Sequence, residues 1–473
     1  MKYQKNKGTQ LVLVIVFAAI FMTIFAGLVN YVVSLNKLTK LRIAEAQARS
    51  IAEAGLDYYK WFLAHYPDDT THGTGLPGPY LIPYEDPETS TTGNFELSIS
   101  SSTYCGDVAS IEIESTGWSL NNPTVKRTVY GKYARPTVAE YSYIINSNVW
   151  AGSDRTIIGP YHSNGGVRMD GTNNSTVTSG QSSWTCTSSF GCTGSQTVDG
   201  VFGSGPDSTL WYFPSTPINF TGLTIDLANM KDRAQNRGGI YIPPSGEYGY
   251  RVTFLGNGDV QFRTVDQTYN YWGYSTQDGW ETERHVIDDD DPYLVATIDP
   301  DCPLIYVEDK VWLEGSVDQK VTIAAADTDS PTINPRIILN GNITYANASS
   351  GLLAIAEEDV LVGLVVPEDM ELNGIFVAQN GRFGRNYYQT SGSYDVLTMH
   401  NSYVCQNSLT INGTIVSNGR VGTQWTGSYC GSYGSGFGTR YNSYDRNLVD
   451  SPPPLAPNTS DDYKFVDWRQ VEN

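Results

Sequence analysis

The chain has 473 residues, more than one ordinary core needs, so two or three structural units are expected. Eight of its 30 Lys/Arg but only three of its 50 Asp/Glu fall in the first 65 residues, which leaves 22 basic against 47 acidic residues for the rest. A surface that negative repels phosphate backbones and disfavours nucleic acid, which is not expected as a partner.

From the N-terminus, Lys2, Lys5 and Lys7 precede an apolar run from Leu11 to Val33, and no charged residue stands between Lys7 and Lys37. Such a run is long enough to cross the ~30 Å hydrocarbon core of a bilayer as a helix. A secretory signal would end its shorter apolar region at a small-residue cleavage site, whereas here the helical pattern continues. Leu38, Leu41, Ile43, Ala44, Ala48, Ile51, Ala52 and Leu56 recur at helical spacing, with Glu45, Arg49 and Glu53 on a polar side and Pro67 as the stop. One rod of about 55 residues, roughly 80 Å long, is expected to span a membrane and project beyond it. Because the acidic, cysteine-bearing bulk follows the rod, that bulk is expected outside the cell membrane, on a single-pass anchor.

A basic leader ending in Gly8, an uncharged apolar stretch and the continuation Ala44-Glu45-Ala46-Gln47-Ala48-Arg49-Ser50-Ile51-Ala52-Glu53-Ala54-Gly55 resemble the N-terminus of a type IV prepilin, of the PilX-like minor pilin kind. The resemblance covers about the first 65 residues. It implies cleavage after Gly8 by a prepilin peptidase, a mature end at Thr9, and assembly with other pilin-like subunits through the helix. Pilins carry Glu at the fifth mature position, and Leu13 stands there. The departure suits a tip or initiating subunit, or a protein that stays in the membrane.

After a Gly/Pro/Thr-rich connector, the stretches starting at Phe95, Ala109 and Lys126 alternate apolar and polar residues as half-buried strands do. Together with the helix they would make a small pilin-like α+β head. Beyond residue 140 only Leu227 to Asn236 reads as helix. An apolar-x-Gly-x-apolar unit recurs around Gly200, Gly315, Gly341, Gly374 and Gly413, the last four spaced 26 to 39 residues apart. Such units suit the bends of a right-handed parallel β-helix, a β-solenoid with loops inserted between rungs. A β-sandwich with Gly-rich turns gives similar local patterns. The segment from Gly159 to Gly171 looks like an opening rung, similar to the one that begins the exported part of PilX-like proteins. The tail, with Pro452-Pro453-Pro454 and Pro457 and then 463–471, is expected to cover the solenoid's open end.

The fold expected is therefore mainly β with a long N-terminal α-helix. Its parts are a leader (1–8), a transmembrane and assembly helix (9–66), a pilin-like head (67–138), a β-helix-like exported domain (139–445) and a capping tail (446–473). Six cysteines in an exported chain permit three disulfides. Cys186 and Cys192 bracket a five-residue loop, Cys405 and Cys430 are the next easiest pair, and Cys105 and Cys302 remain; free buried thiols are the alternative.

No cofactor is expected, and the only metal candidate is the run Asp288, Asp289, Asp290 and Asp291, which lacks the alternating spacing of a calcium loop. Glu357, Glu358, Asp359, Arg382 and Arg385 are the charged residues from which a carbohydrate-active site could be built. No GxSxG, HExxH or Walker loop accompanies them, and the chain reads as non-enzymatic. Aromatic clusters at 269–274, 387–388 and 429–444 suit contact with a surface glycan or protein. The function expected is that of a minor or tip pilin-like protein with an adhesive role; an envelope-tethered carbohydrate-active or carbohydrate-binding protein is the alternative.

Overall fold

The computed structural model describes residues 7–66, 69–85, 91–220, 226–329, 334–460 and 462–471, so most of the expected leader and the expected stop at Pro67 lie outside the described residues. The chain is mainly β with one long N-terminal helix, and it divides into two compact units.

The first unit holds α1 (Lys7–His65), β1 (Tyr80–Glu85) and most of the strands β2 (Thr91–Tyr104), β3 (Asp107–Ser119), β4 (Arg127–Ala134) and Lys464–Val471, while residues 102–110, with Cys105, belong to the second unit. The 59-residue helix is about 88 Å long. Along its first half every large apolar residue is open, from 44% exposed at Leu35 to 75% at Phe21. The pattern changes at Ala44. From there Ala44, Ala48, Ile51, Ala52, Leu56, Tyr59 and Leu63 are buried in one stripe, facing Phe95, Leu97, Ile111, Ile113, Val129 and Tyr133 of the sheet.

The small residues of the stripe bring helix and sheet backbones together. A methyl group on Gly117 of β3 would lie 2.3 Å from the Ala52 nitrogen and 2.5 Å from the Ala48 carbonyl oxygen. The Tyr133 hydroxyl donates to the Leu56 carbonyl at 2.7 Å, and Arg127 pairs with Glu45 at 2.5 Å.

In the second unit two long parallel ladders run side by side. Ile242, Val307, Ala325, Ala356, Ala378, Ser417, Ile145, Ser163 and Ser179 stand in register along the first. Phe254, Gly315, Ile343, Leu372, Ile411, Asn442, Ile157 and Asn173 do so along the second. Aliphatic side chains from both fill one core, including Val307, Leu313, Ile323, Leu339, Leu352, Leu372 and Ile415. Gly374 and Gly413 pair across the second ladder at φ of +147° and +145°, and a methyl on Gly413 would sit 1.8 Å from the Gly374 carbonyl oxygen. The recurring glycines at 374 and 413 thus mark a bend that no side chain can enter.

Spatial order departs from chain order. The rungs at 143–179 stack on the C-terminal rungs at 405–417 and 435–443, while the chain restarts at Ile240–Ile242 at the opposite end of the ladder. Helix α2 (Leu227–Asn236), N-capped by Asp226, precedes that restart. The expected opening rung is therefore covered on both sides. For the same reason the last rung has no bare edge for the tail to hide. The proline-rich tail lies along the flank, where Leu448, Leu455 and Ala456 pack with Ala324 and Leu353 and the Thr322 hydroxyl donates to the Pro454 carbonyl. Strand Lys464–Val471 instead extends the edge of the first unit's sheet beside β4.

The sheet is mixed because a long antiparallel hairpin, Asp259–Ser275 with Gly279–Thr297, leaves the second ladder at Tyr250–Leu255. Three disulfides join Cys105 to Cys302, Cys186 to Cys192 and Cys405 to Cys430.

Gly117→Ala and Gly413→Ala are each expected to destabilise by about 2 kcal/mol or more, since the backbone atoms they meet cannot rotate away. Gly27→Ala, with nothing within 4 Å of the added methyl, leaves the transition unchanged. Thermal unfolding of the full chain in micelles measures the difference.

Candidate functional site

The bends that join the two ladders on one flank carry charge. Val311, Ile337, Val360 and Phe383 are in register, so the residues just before them, Lys310, Arg336, Asp359 and Arg382, form a column one rung apart. Arg382 and Arg420 stand two places before the bridged Gly384 and Gly422, which extends the column by one more rung. At about 4.8 Å per rung the five side chains span roughly 19 Å.

The hairpin turn at 276–278 stands opposite this column. Its Ser275 hydroxyl donates to Asp278 and accepts from the backbone nitrogens of Gln277 and Asp278. Between turn and column lies a cavity of about 840 Å³, lined by Lys310, Arg336, Glu358, Asp359, Arg382 and Asn386 on one side and by Ser275, Asp278, Glu281, Glu283 and His285 on the other. Smaller spaces of about 50 and 490 Å³ continue it past Thr276, Arg420 and Trp425 to Asn146 and Asn418. Arg382, Arg420, Thr276 and Gln277 each line two of the three, so the whole is one groove.

Glu283 and His285 anchor its inner wall. Burial alone would raise the Glu283 carboxyl, yet His285 at 3.3 Å, the Tyr388 hydroxyl and the Asn386 amide hold it down at about 2. Burial pushes the His285 imidazole's pKa down, against the upward pull of that carboxylate. Lys310 has no acceptor on its ammonium among the described residues; burial, with Arg336 adding to it, pushes its pKa down to about 8. Arg382 is 5% exposed and donates to Asn386, while its Nε is buried without a partner. Burial, then the neighbouring Asp359 and Glu357, pushes the Glu358 carboxyl up. Asp359 accepts from the Arg382 backbone nitrogen at 2.8 Å and lies 3.9 Å from Arg336.

Of the charged residues singled out by sequence, Glu358, Asp359 and Arg382 thus meet in the groove, and two do not. Glu357 turns away to accept from the Asp327 nitrogen, and Arg385 is fully buried, donating to the carbonyls of Gly363, Leu364 and Tyr403. The four-aspartate run lies on a strand, which sends alternate side chains to opposite faces. Asp290 is taken by Arg251 and Arg263, Asp288 by the Tyr269 hydroxyl, and no metal-ligating group of three forms among the described residues. Gly8 and Thr9 fall in α1.

The aromatic residues of 269–274 pack among themselves and neighbours: Tyr269 and Tyr271 on His400, and Trp272 on Tyr394. Lys310, Arg336 and Arg420 carried a signal that went unread in sequence. Each is a cation immediately before the apolar start of a strand or rung, as Arg382 is before Phe383.

No protein-family model matches the chain, and no curated protein matches it. Among solved structures, the competence-associated pilin ComZ from Thermus thermophilus aligns at 12% identity over 90% of this chain and 97% of that one. Its TM-score is 0.28, and a likeness at that level carries no argument.

Because the folded Glu283 titrates below the unfolded value, its contribution is present above pH ~4.5 and lost as pH falls towards 2. Glu283→Gln should therefore cost on the order of 3 kcal/mol at neutral pH and flatten the acid limb of a stability–pH curve. Lys310 loses its charge near pH 8, and its folded pKa lies below the unfolded one, so stability rises with pH across that window. NMR of ¹³C-methylated lysines should show one titration near 8 that Lys310→Arg abolishes.

Proposed function

We propose that this chain is a membrane-anchored, surface-exposed, pilin-like structural protein, a minor or tip component of a type IV pilus-like filament that makes surface contact through its β unit. One observation carries the reading: a single helix whose apolar first half is wholly exposed and whose second half buries one stripe against a sheet. The helix is long and apolar enough to cross a membrane, and none of that stretch is covered by the rest of the protein. An apolar surface of that length needs lipid or other helices around it. Leu13 in place of a charge-neutralising glutamate favours a position at the filament's end. Three disulfides suit an oxidising, extracellular site for the β unit.

We read the β unit as a right-handed parallel β-helix, on the strength of its two continuous parallel ladders around one aliphatic core. We also read it as a binding protein without enzyme chemistry. In support, Glu283 is held by Tyr388, Asn386 and His285, and Asp309 by the backbone and hydroxyl of Ser245. The alternative, an envelope-tethered carbohydrate-active protein, is favoured by Glu358, Asp359 and Arg382 meeting in the groove. Release of reducing ends or unsaturated products from acidic glycans would establish it.

Full-length protein is expected in the membrane fraction, released by detergent and not by salt. The double variant Phe21→Arg, Ile24→Arg, each change costing about 3 kcal/mol mid-bilayer, should move it to the soluble fraction. Mass spectrometry of the native N-terminus is expected to find Thr9 first; an intact Met1 on membrane-inserted protein would remove the pilin part of the reading and leave the anchor.

A further inference from the structure

We propose that the groove under the 276–278 turn binds an acidic, hydroxyl-rich linear polymer, a glycan chain with a carboxylate on some of its sugar units. The proposal deepens the surface-contact reading, and rests on it, by giving that contact a site and a ligand class.

Three observations support an anionic ligand. The Lys310 ammonium, 5.4 Å from the centre of the Trp312 ring, has no oxygen acceptor among the described residues, and the carboxylate nearest Arg336 is 3.9 Å away. Arg382, 5% exposed, lines the groove with a buried Nε that bonds to nothing. Burying cationic groups short of partners is costly, and a carboxylate laid in the groove would supply the missing acceptors.

The column's shape points to a linear ligand. Cations stand at Lys310, Arg336, Arg382 and Arg420, with Asp359 between the second and third, and the groove continues along all of them. At about 4.8 Å per rung this is a row for an extended strand of sparse charge. A compact anion would need the cations converged on one point.

The interleaved acids select further. Asp278, Glu281 and Asp359 line the same space and can accept from hydroxyl groups, with Asn380 and Asn386 adding amides. They repel a ligand with a charge on every unit. The chain's own net charge of −20 does the same at longer range and disfavours polyphosphate and nucleic acid. Hydroxyl-rich and intermittently carboxylated describes an acidic glycan better than an acidic peptide, whose amides offer few hydroxyl donors.

The experiment uses the full chain in lipid nanodiscs and reads binding by calorimetry at physiological ionic strength. The probes are half-methyl-esterified polygalacturonate, its fully methyl-esterified form, dextran, poly-glutamate and polyphosphate. Binding of the half-esterified polymer, at least tenfold weaker for the full methyl ester and undetectable for dextran, is the expected result. Lys310→Gln with Arg336→Gln should weaken it at least tenfold, whereas Lys464→Gln, exposed and remote in sequence, leaves it unchanged.

Both groove residues are only half-buried, and near-UV circular dichroism verifies that the double variant is folded; if it is not, Lys310→Gln alone, expected to weaken binding at least threefold, decides. No binding of the half-esterified polygalacturonate, equal binding of its full ester, equal or tighter binding of poly-glutamate or polyphosphate, or variants that bind like the parent overturns the proposal. Flotation of the same protein with vesicles reports anchoring separately. Lost binding with intact flotation strikes the glycan proposal alone, and failed flotation with intact binding strikes the anchoring reading.

Discussion

Rung-on-rung register governs the second unit. In a parallel ladder every backbone group of one strand is satisfied by its neighbours, so a slip of one residue would turn core aliphatics outward and bring polar residues in. The small residues Ala325, Ala356 and Ala378 succeed one another in the first ladder, and the facing glycines at 374 and 413 fix where the second one bends. The same register that packs the aliphatic core also lines up whatever stands at the bends. The charged column is thus a by-product of a hydrogen-bond pattern, and no side chain has to be steered into it.

The first unit was largely legible in sequence because its signals are local. An uncharged run, an alanine seam repeating at helical spacing and three alternating segments sit where α1, β2, β3 and β4 lie, with the strands longer than their patterns. Helix α2 was legible for the same reason. The three disulfides follow the order of loop length that the cysteine spacings suggest.

The second unit was less legible because its defining contacts join distant residues. Nothing near Ile144 announces that Val416 will pair with it, so the expected opening rung sits inside the ladder, and the C-terminal rung at 435–443, paired on both sides, leaves no bare edge there for the tail. The long hairpin was hidden by its own irregularity: its two strands shift register at four places, and the four aspartates interrupt the alternation. The groove followed it into obscurity, since Glu283 and His285 on the hairpin meet Lys310, Arg336 and Arg382 only once both are folded. What sequence did contain was the habit of placing a cation just before an apolar run.

The contact between the rung at 143–145 and the one at 414–417 also sets a timetable. About 270 residues separate the partners, and loop closure over that distance must precede the gain from pairing. The early rungs lack their C-terminal neighbour until nearly the whole chain has emerged. For a chain that emerges residue by residue behind its N-terminal helix, the ladder cannot be completed until the last rungs appear. Its early strands would wait with bare, pairing-competent edges, the kind of surface that invites aggregation or the attention of a chaperone.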